Sequence, residues 1–434
     1  MGCFPTSHFT LAKGQVVYVT FPLGAVTPEI LQTLAAVFSE PQINRLFLLV
    51  LAIVALQYYR IAKVREKFFG LPPRGVWRDV LQATFFGLLG GLLASYLIVG
   101  VGLTLSGSGL IYLWPLALLL MLIDARFLCF AYAGGLLALS ALLFGWPDIR
   151  VPQMLGLVAI LHLVEAFLIL ISGHLGATPI FIKNQAGQVV GGFALQKLWP
   201  IPLTALVVVG HGSGAAGGIS MPDWWPLIRQ GLGQHVDTVM FGLMPVVAGL
   251  GYGDLAVART PRQKSRISAG ILGIYSLLLL GLAVLADRQP GLAVVAALFS
   301  PLGHELVICL GKRLEAGKAV YRPVAQGVKV LDVLPGYPAW QAGIRSGDII
   351  MEVNGMAVSS RQGLEFALGI YPHIQLTYYS VGDRRVYREG IDYQGKQLLG
   401  LLPVPEGGEE SYMELSTRGP FRRWLNNRFI RRDA

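Results

Sequence analysis

From residue 42 to residue 311 the chain is built largely of apolar runs long enough to cross a bilayer, and no other feature restricts the fold so tightly. A spanning helix needs about 20 mostly apolar residues, because it rises about 1.5 Å per residue and the hydrocarbon core is about 30 Å thick. The runs predict nine such helices, near 42–59, 80–104, 108–124, 127–145, 154–172, 199–213, 238–257, 268–286 and 290–311. Only 14% of residues are charged, against about 25% in soluble proteins. The class implied is a polytopic, all-α membrane bundle.

Basic residues supply an orientation. If the first span runs inward, the inner loops hold 17 Lys and Arg, among them Arg60, Arg126, Lys183, Lys197, Arg262 and Lys312, and the outer segments hold five. Positive residues accumulate on the cytoplasmic side, so the carboxyl-terminal region is expected there. The net charge of +10 is read as this orientation signal rather than as a nucleic-acid surface.

Residues 1–41 precede the spans, and within them 28–39, PEILQTLAAVFS, is too short to cross and suits an interfacial helix. After the fifth span, two short strands are expected at 178–183 and 188–195 about an Asn184–Gly187 turn. Pro200 and Pro202 are expected to bound the next helix.

Residues 324–404 change texture. GVKVLDV (327–333) alternates, and Asn354-Gly355 is a strong hairpin signal. Leu364, Phe366 and Leu368 fall in a helix opened by Ser359 or Ser360. HIQLTYYS and RRVYREG form a further hairpin about Gly382-Asp383. This order, with PGYPAWQAGIRSGDIIMEVNG (335–355) at its centre, resembles a PDZ domain, a small α+β module. The resemblance implies binding of an extended peptide as an added strand at a sheet edge, beside a helix, with the ligand carboxylate on a glycine-containing loop. No GLGF-like strand precedes Gly327; the nearest match is downstream, which fits the circular permutation common in bacterial PDZ domains. Leu399, Gly400, Leu401 and Leu402 are therefore expected to form the loop and edge strand, with Leu364 and Leu368 lining the groove. The alternative keeps 397–404 as a strand that only closes the sheet.

Residues 405–434 follow as an acidic linker and a basic tail. Arg422, Arg423, Trp424, Arg428, Phe429, Arg431 and Arg432 lie in FRRWLNNRFIRR, whose Phe421, Trp424, Leu425 and Phe429 share one helical face. That pattern suits an anionic lipid surface; a solvated tail is the alternative.

The last span holds half a metal motif. In SPLGHELVICLG (300–311), His304-Glu305 begins like HExxH, but Ile308 stands where the second histidine belongs. A catalytic zinc needs three protein ligands. His162 and Glu165, one turn apart on the fifth span, are the other intramembrane candidates, and such groups are costly enough in lipid to be worth naming. Their ordinary role is to satisfy one another between packed helices. Site-2 proteases resemble this chain in joining an HE helix to a PDZ domain, but they need a later span to supply an aspartate, and here the HE helix is last. No catalytic residue, metal or cofactor is expected. Cys129 and Cys309 read as small buried hydrophobes.

A bundle whose last span carries Gly303-His304-Glu305 and leads into a single PDZ domain resembles the MinJ-like membrane proteins of Gram-positive bacteria, as does the segment from SGHLGATP to WPIPL (172–203). That resemblance spans most of 28–404. It implies a non-enzymatic scaffold at septum and poles that links DivIVA-like and MinD-like division proteins; self-association is compatible with it. A solute transporter, or a degenerate site-2-protease-like protein with a PDZ sensor, is the alternative.

Overall fold

A computed structural model describes residues 7–10, 16–19, 21–69, 75–106, 108–183, 187–211, 219, 221–229, 239–370, 373–392 and 399–407. In chain order these hold β1 (Ser7–Thr10), β2 (Val16–Val19), α1 (Leu23–Ser39), α2 (Pro41–Phe69), α3 (Val76–Val101), α4 (Leu110–Ile123), a 3-10 turn (Ala125–Leu128), α5 (Phe130–Phe144) and α6 (Val151–Ser172). They continue with β3 (Thr178–Lys183), β4 (Val189–His211), β5 (Val239–Ala256), α7 (Pro261–Arg288) and α8 (Leu292–Leu314). Among the described residues five helices, α2, α3, α6, α7 and α8, are long and apolar enough to cross a membrane. Leu49, Ile53, Leu81, Ile274 and Leu302 are exposed along them, as lipid contact requires.

The nine-helix expectation is corrected at two places. Residues 199–213 and 238–257 are apolar but not helical: they lie in β4 and β5, paired antiparallel from Phe193↔Ala256 to His211↔Val239. Pro200, Pro202 and Pro245 lack the N–H a helix needs, Val207 to Val209 is a β-branched run, and Gly249, Gly251 and Gly253 lower helix propensity. Pro200 and Pro202 therefore sit inside a strand instead of bounding a helix. β3 pairs with the start of β4, completing a three-stranded sheet.

The second correction concerns α4 and α5. They have 14 and 15 residues, so each is only about 21–23 Å long. Gly109, which opens α4, packs on Ile149 and Met154 near the start of α6, and Tyr112 meets Trp146 after α5. The open ends of the pair thus lie together. Its tip reaches Glu305 and His162, close to the middle of α8 and α6. The two helices form a re-entrant hairpin that enters and leaves on one face. Asp124 ends α4, and its side chain accepts from Arg126 N at 3.2 Å to start the turn. Arg126 consequently pairs with Glu305 part-way along α8, with its side chain one-third exposed, instead of lying in an inner loop. Both corrections remove spans in pairs, so α2 and α8 still end on the same face.

A β-ribbon at membrane depth must have its backbone groups satisfied by protein. α3 does this for β4. Gly87, Gly91 and Ser95 recur every four residues along one face of α3. A Cβ on Gly87 or Gly91 would overlap the carbonyl of Pro200 or Pro202. Ser95 Oγ accepts from Thr204 N at 2.8 Å, and Leu105 N donates to Leu206 O at 2.9 Å. The strand edge against the helix thus presents two residues that have no N–H, followed by groups that find partners.

The second unit contains β6 (Val328–Val333), α9 (Pro338–Gln341), β7 (Ile349–Val353), β8 (Met356–Ala357), α10 (Arg361–Ile370), β9 (His373–Ser380), β10 (Arg385–Asp392) and β11 (Leu401–Pro403). Its sheet has the order β10-β9-β7-β6-β11, with β8 on β7. Val328, Val330, Ile350, Leu364 and Leu376 fill its core. It docks on the three-stranded sheet through a separate cluster, in which Tyr321, Leu331 and Val404 meet Phe193, Leu195 and Ala256. Gly191 N donates to Tyr321 O at 3.0 Å across that contact.

Candidate functional site

β11 lies at the end of the sheet order, so one of its edges is open among the described residues. It is entered through Gly400, whose φ of +73° is a left-handed conformation that favours glycine. The loop is fastened by two backbone bonds: Leu334 N donates to Gly400 O at 2.8 Å and Ala339 N to Leu399 O at 3.1 Å. Tyr337 packs directly on Gly400, where a Cβ would overlap the tyrosine Cβ. Leu364 from α10 and Leu399 are buried in one core, and Leu368 and Leu401 lie partly buried on it. Arg361 N, at the start of α10, donates to Glu406 Oε1 at 2.6 Å, which ties the helix to the chain just past β11.

Leu402 departs from the expected lining. It packs with Tyr321, Leu331 and Val404, on the face turned to the membrane unit. The reason is the alternation of a strand: Leu401 and Leu402 must point to opposite faces. Opposite Leu402 in the register is Asp332. Burial pushes the Asp332 carboxyl up to about 6, and the Arg65 guanidinium at the end of α2 opposes that rise.

The second polar site lies in the bundle at the tip of the re-entrant hairpin. Arg126 Nη1 donates to Glu305 Oε1 at 2.7 Å, and Tyr132 Oη to Glu305 Oε2 at 2.7 Å. Cys129 Sγ lies 3.0 Å from His162 Nε2 and 3.4 Å from His304 Nε2. The His162 and His304 rings stand edge to face, with centroids 5.4 Å apart, and Tyr275 contacts both. His304 and Glu305 thus bond different polar groups, and Tyr132 touches both, its hydroxyl on Glu305 and its ring edge to face with His304 at a centroid distance of 5.3 Å.

The PDZ-domain family pattern matches residues 329–368, from β6 into α10. Over 420 aligned residues the chain is 24% identical to the cell division topological determinant MinJ of Bacillus subtilis (strain 168), covering 88% of this chain and 96% of that protein. The chain is a MinJ-like protein with a PDZ domain.

In this MinJ-like chain, Leu364 and Leu399 are buried in the PDZ core and Leu368 and Leu401 pack at its margin, while Leu402 turns to the opposite face. His162 and His304 meet; Glu165 is not a member of their cluster. Its third member is Cys129, a ligating-type group in the cluster and not simply the small buried hydrophobe that its apolar flanks imply. The signal available was the charged pair Asp124 and Arg126, which interrupts two apolar runs just before Cys129. The tail residues Arg422, Arg423, Trp424, Arg428, Phe429, Arg431 and Arg432 lie outside the described residues.

Proposed function

We propose that this MinJ-like chain is a non-enzymatic membrane scaffold of cell division, which holds protein partners at septum and poles through a cytoplasmic PDZ domain. One arrangement carries the reading: the short edge strand Leu401–Pro403, entered through Gly400 and placed in one core with α10. A strand edge beside a helix is what a PDZ domain offers an extended peptide. Similarity over most of the chain to a division topological determinant supports the cellular setting. DivIVA-like and MinD-like proteins are the partners that the resemblance implies, with anionic lipid as a surface for the basic tail. The basic-residue count supports the cytoplasmic side, and leaving out Arg126, which pairs with Glu305 part-way along α8, gives 16 against five. Single strand-addition contacts are weak, so clustering in the membrane supplies avidity.

The test is the full-length protein in dividing cells. Concentration at septa, with partner placement lost in Gly400→Val while membrane insertion persists, is the expected result. Uniform membrane distribution with normal partner placement after deletion of 324–405 would overturn the reading. A phosphatase reporter fused after Ala434 is expected to be inactive; activity would place the PDZ domain outside. Solute transport is the second reading, favoured by the re-entrant hairpin with its charged tip. Uptake that depends on this protein would support it.

A further inference from the structure

Among the polar groups of the bundle, one set converges from three elements far apart in sequence. Cys129 caps α5, His162 lies mid-way along α6, and His304 lies mid-way along α8. The sulfur and one nitrogen of each ring all lie within 4.8 Å of one another. His162 is 3% exposed. Its Nδ1 lies 2.7 Å from Val158 O. A carbonyl oxygen can only accept, so the ring proton is on Nδ1 and the Nε2 lone pair is directed at the sulfur. A hydrogen bond on the far ring nitrogen is also what orients a metal-bound histidine.

The spacing nearly fits an ion. Zn–S near 2.3 Å and Zn–N near 2.0–2.1 Å place a tetrahedral sulfur and nitrogen roughly 3.5 Å apart; Cys129 Sγ to His304 Nε2 is 3.4 Å, close to that, and Cys129 Sγ to His162 Nε2 is 3.0 Å, so binding an ion requires that pair to open by about half an ångström. Glu305, the nearest acid in sequence to His304, is engaged by Arg126 and Tyr132. The donor set is therefore one thiolate and two imidazoles, which suits Zn2+ and Cu+ and not Mg2+ or Ca2+. Burying polar groups among apolar helices is unfavourable unless they are satisfied, and ligation of an ion offsets that cost.

We propose that Cys129, His162 and His304 bind one thiolate- and imidazole-preferring d10 metal ion, Zn2+ or Cu+. The ion joins the tip of the re-entrant hairpin to α6 and α8. This site is independent of the peptide groove, and its test does not depend on division or peptide binding.

Full-length protein in detergent is loaded separately with Zn2+ and, under reducing conditions, with Cu+, then desalted and assayed for metal and for thermal unfolding. The expected result is one retained equivalent of at least one ion, with a raised unfolding temperature. Whichever ion is retained identifies the charge state of the site. If Zn2+ is retained, Co2+ should give a thiolate charge-transfer band. Cys129→Ser and His304→Gln should each lower retention at least tenfold and abolish the thermal shift. Cys309→Ser, on the same helix as His304 but outside the cluster, should retain the ion. Serine preserves the cap on Ala131 N, so Cys129→Ser should melt like the metal-free parent. Failure of the parent to retain either ion, or retention unchanged in both Cys129→Ser and His304→Gln, overturns the proposal and leaves a thiol–imidazole hydrogen-bonded cluster.

Discussion

Arg126 and Glu305, 179 residues apart, form a 2.7 Å ion pair that fastens the tip of a re-entrant hairpin to the middle of the last transmembrane helix. A charge left alone near the middle of a bundle costs far more than a well-packed apolar pair. Arg126→Met or Glu305→Leu alone should therefore destabilise the protein by about 1–3 kcal/mol, below the value for fully buried pairs because both side chains keep some exposure. The double variant Arg126→Met/Glu305→Leu should lose less than the sum of the two. Thermal unfolding in detergent measures this, and strict additivity would show that the pair does not hold the hairpin.

The contact between α3 and β4 makes a second prediction. Gly91→Ala places a methyl group on the Pro202 carbonyl, where backbone on both sides resists movement. Overpacking of this kind costs about 1–3 kcal/mol. Gly100→Ala, about two and a half turns beyond Gly91 on the same helix and with no atom near its would-be Cβ, should be neutral or slightly stabilising. Equal unfolding temperatures for the two variants would show that β4 does not rest on the small-residue face of α3.

Docking of the PDZ domain should depend on pH through Asp332. Burial raises its carboxyl from 3.8 to about 6 in the folded protein. The folded state then binds the proton more tightly than the unfolded one, so this contribution is favourable below pH ~4 and is lost as pH rises through ~6. Amides of Tyr321 and Leu331 should exchange more slowly at pH 5 than at pH 7, after correction for intrinsic rates. Asp332→Asn should remove most of that difference, and Arg65→Gln should enlarge it. Equal protection at both values in the parent would contradict the assignment.

Much of the PDZ unit is readable from local chemistry. Alternating apolar residues, Asn354-Gly355 and the proline at α9 each act within a few residues, and the structure has strands at 328–333 and 349–353 and a helix at 361–370. The bundle is different. Apolarity reports burial in lipid or core, not secondary structure, so Leu203 and Val246 read as helix when they lie in strands. What distinguishes β4 is the pairing of Pro200 and Pro202 with Gly87 and Gly91, a relationship between segments more than 100 residues apart. Cys129 is the same kind of case. Its apolar flanks suggest a buried hydrophobe, and only the re-entrant turn brings it to His162 and His304. Leu331 did carry a local trace, an apolar residue on the opposite face from Val328 and Val330, as a strand buried on both sides requires.

Gly400 and Tyr337 give the last prediction. At φ +73° a side chain is already strained by about 1–2 kcal/mol, and a Cβ there also overlaps Tyr337. Gly400→Ala should displace the loop from Leu334 and Ala339 and weaken peptide binding at least tenfold, with membrane insertion unchanged. If the overlap is the cause, Tyr337→Gly introduced beside it should restore part of the affinity, because it removes the colliding Cβ but not the strained φ. The measurement is fluorescence anisotropy of a carboxyl-terminal peptide, selected from a display library against the full-length protein, on the parent and the two variants. Undiminished binding by Gly400→Ala would mean that this loop does not receive the peptide, and that β11 only closes the sheet.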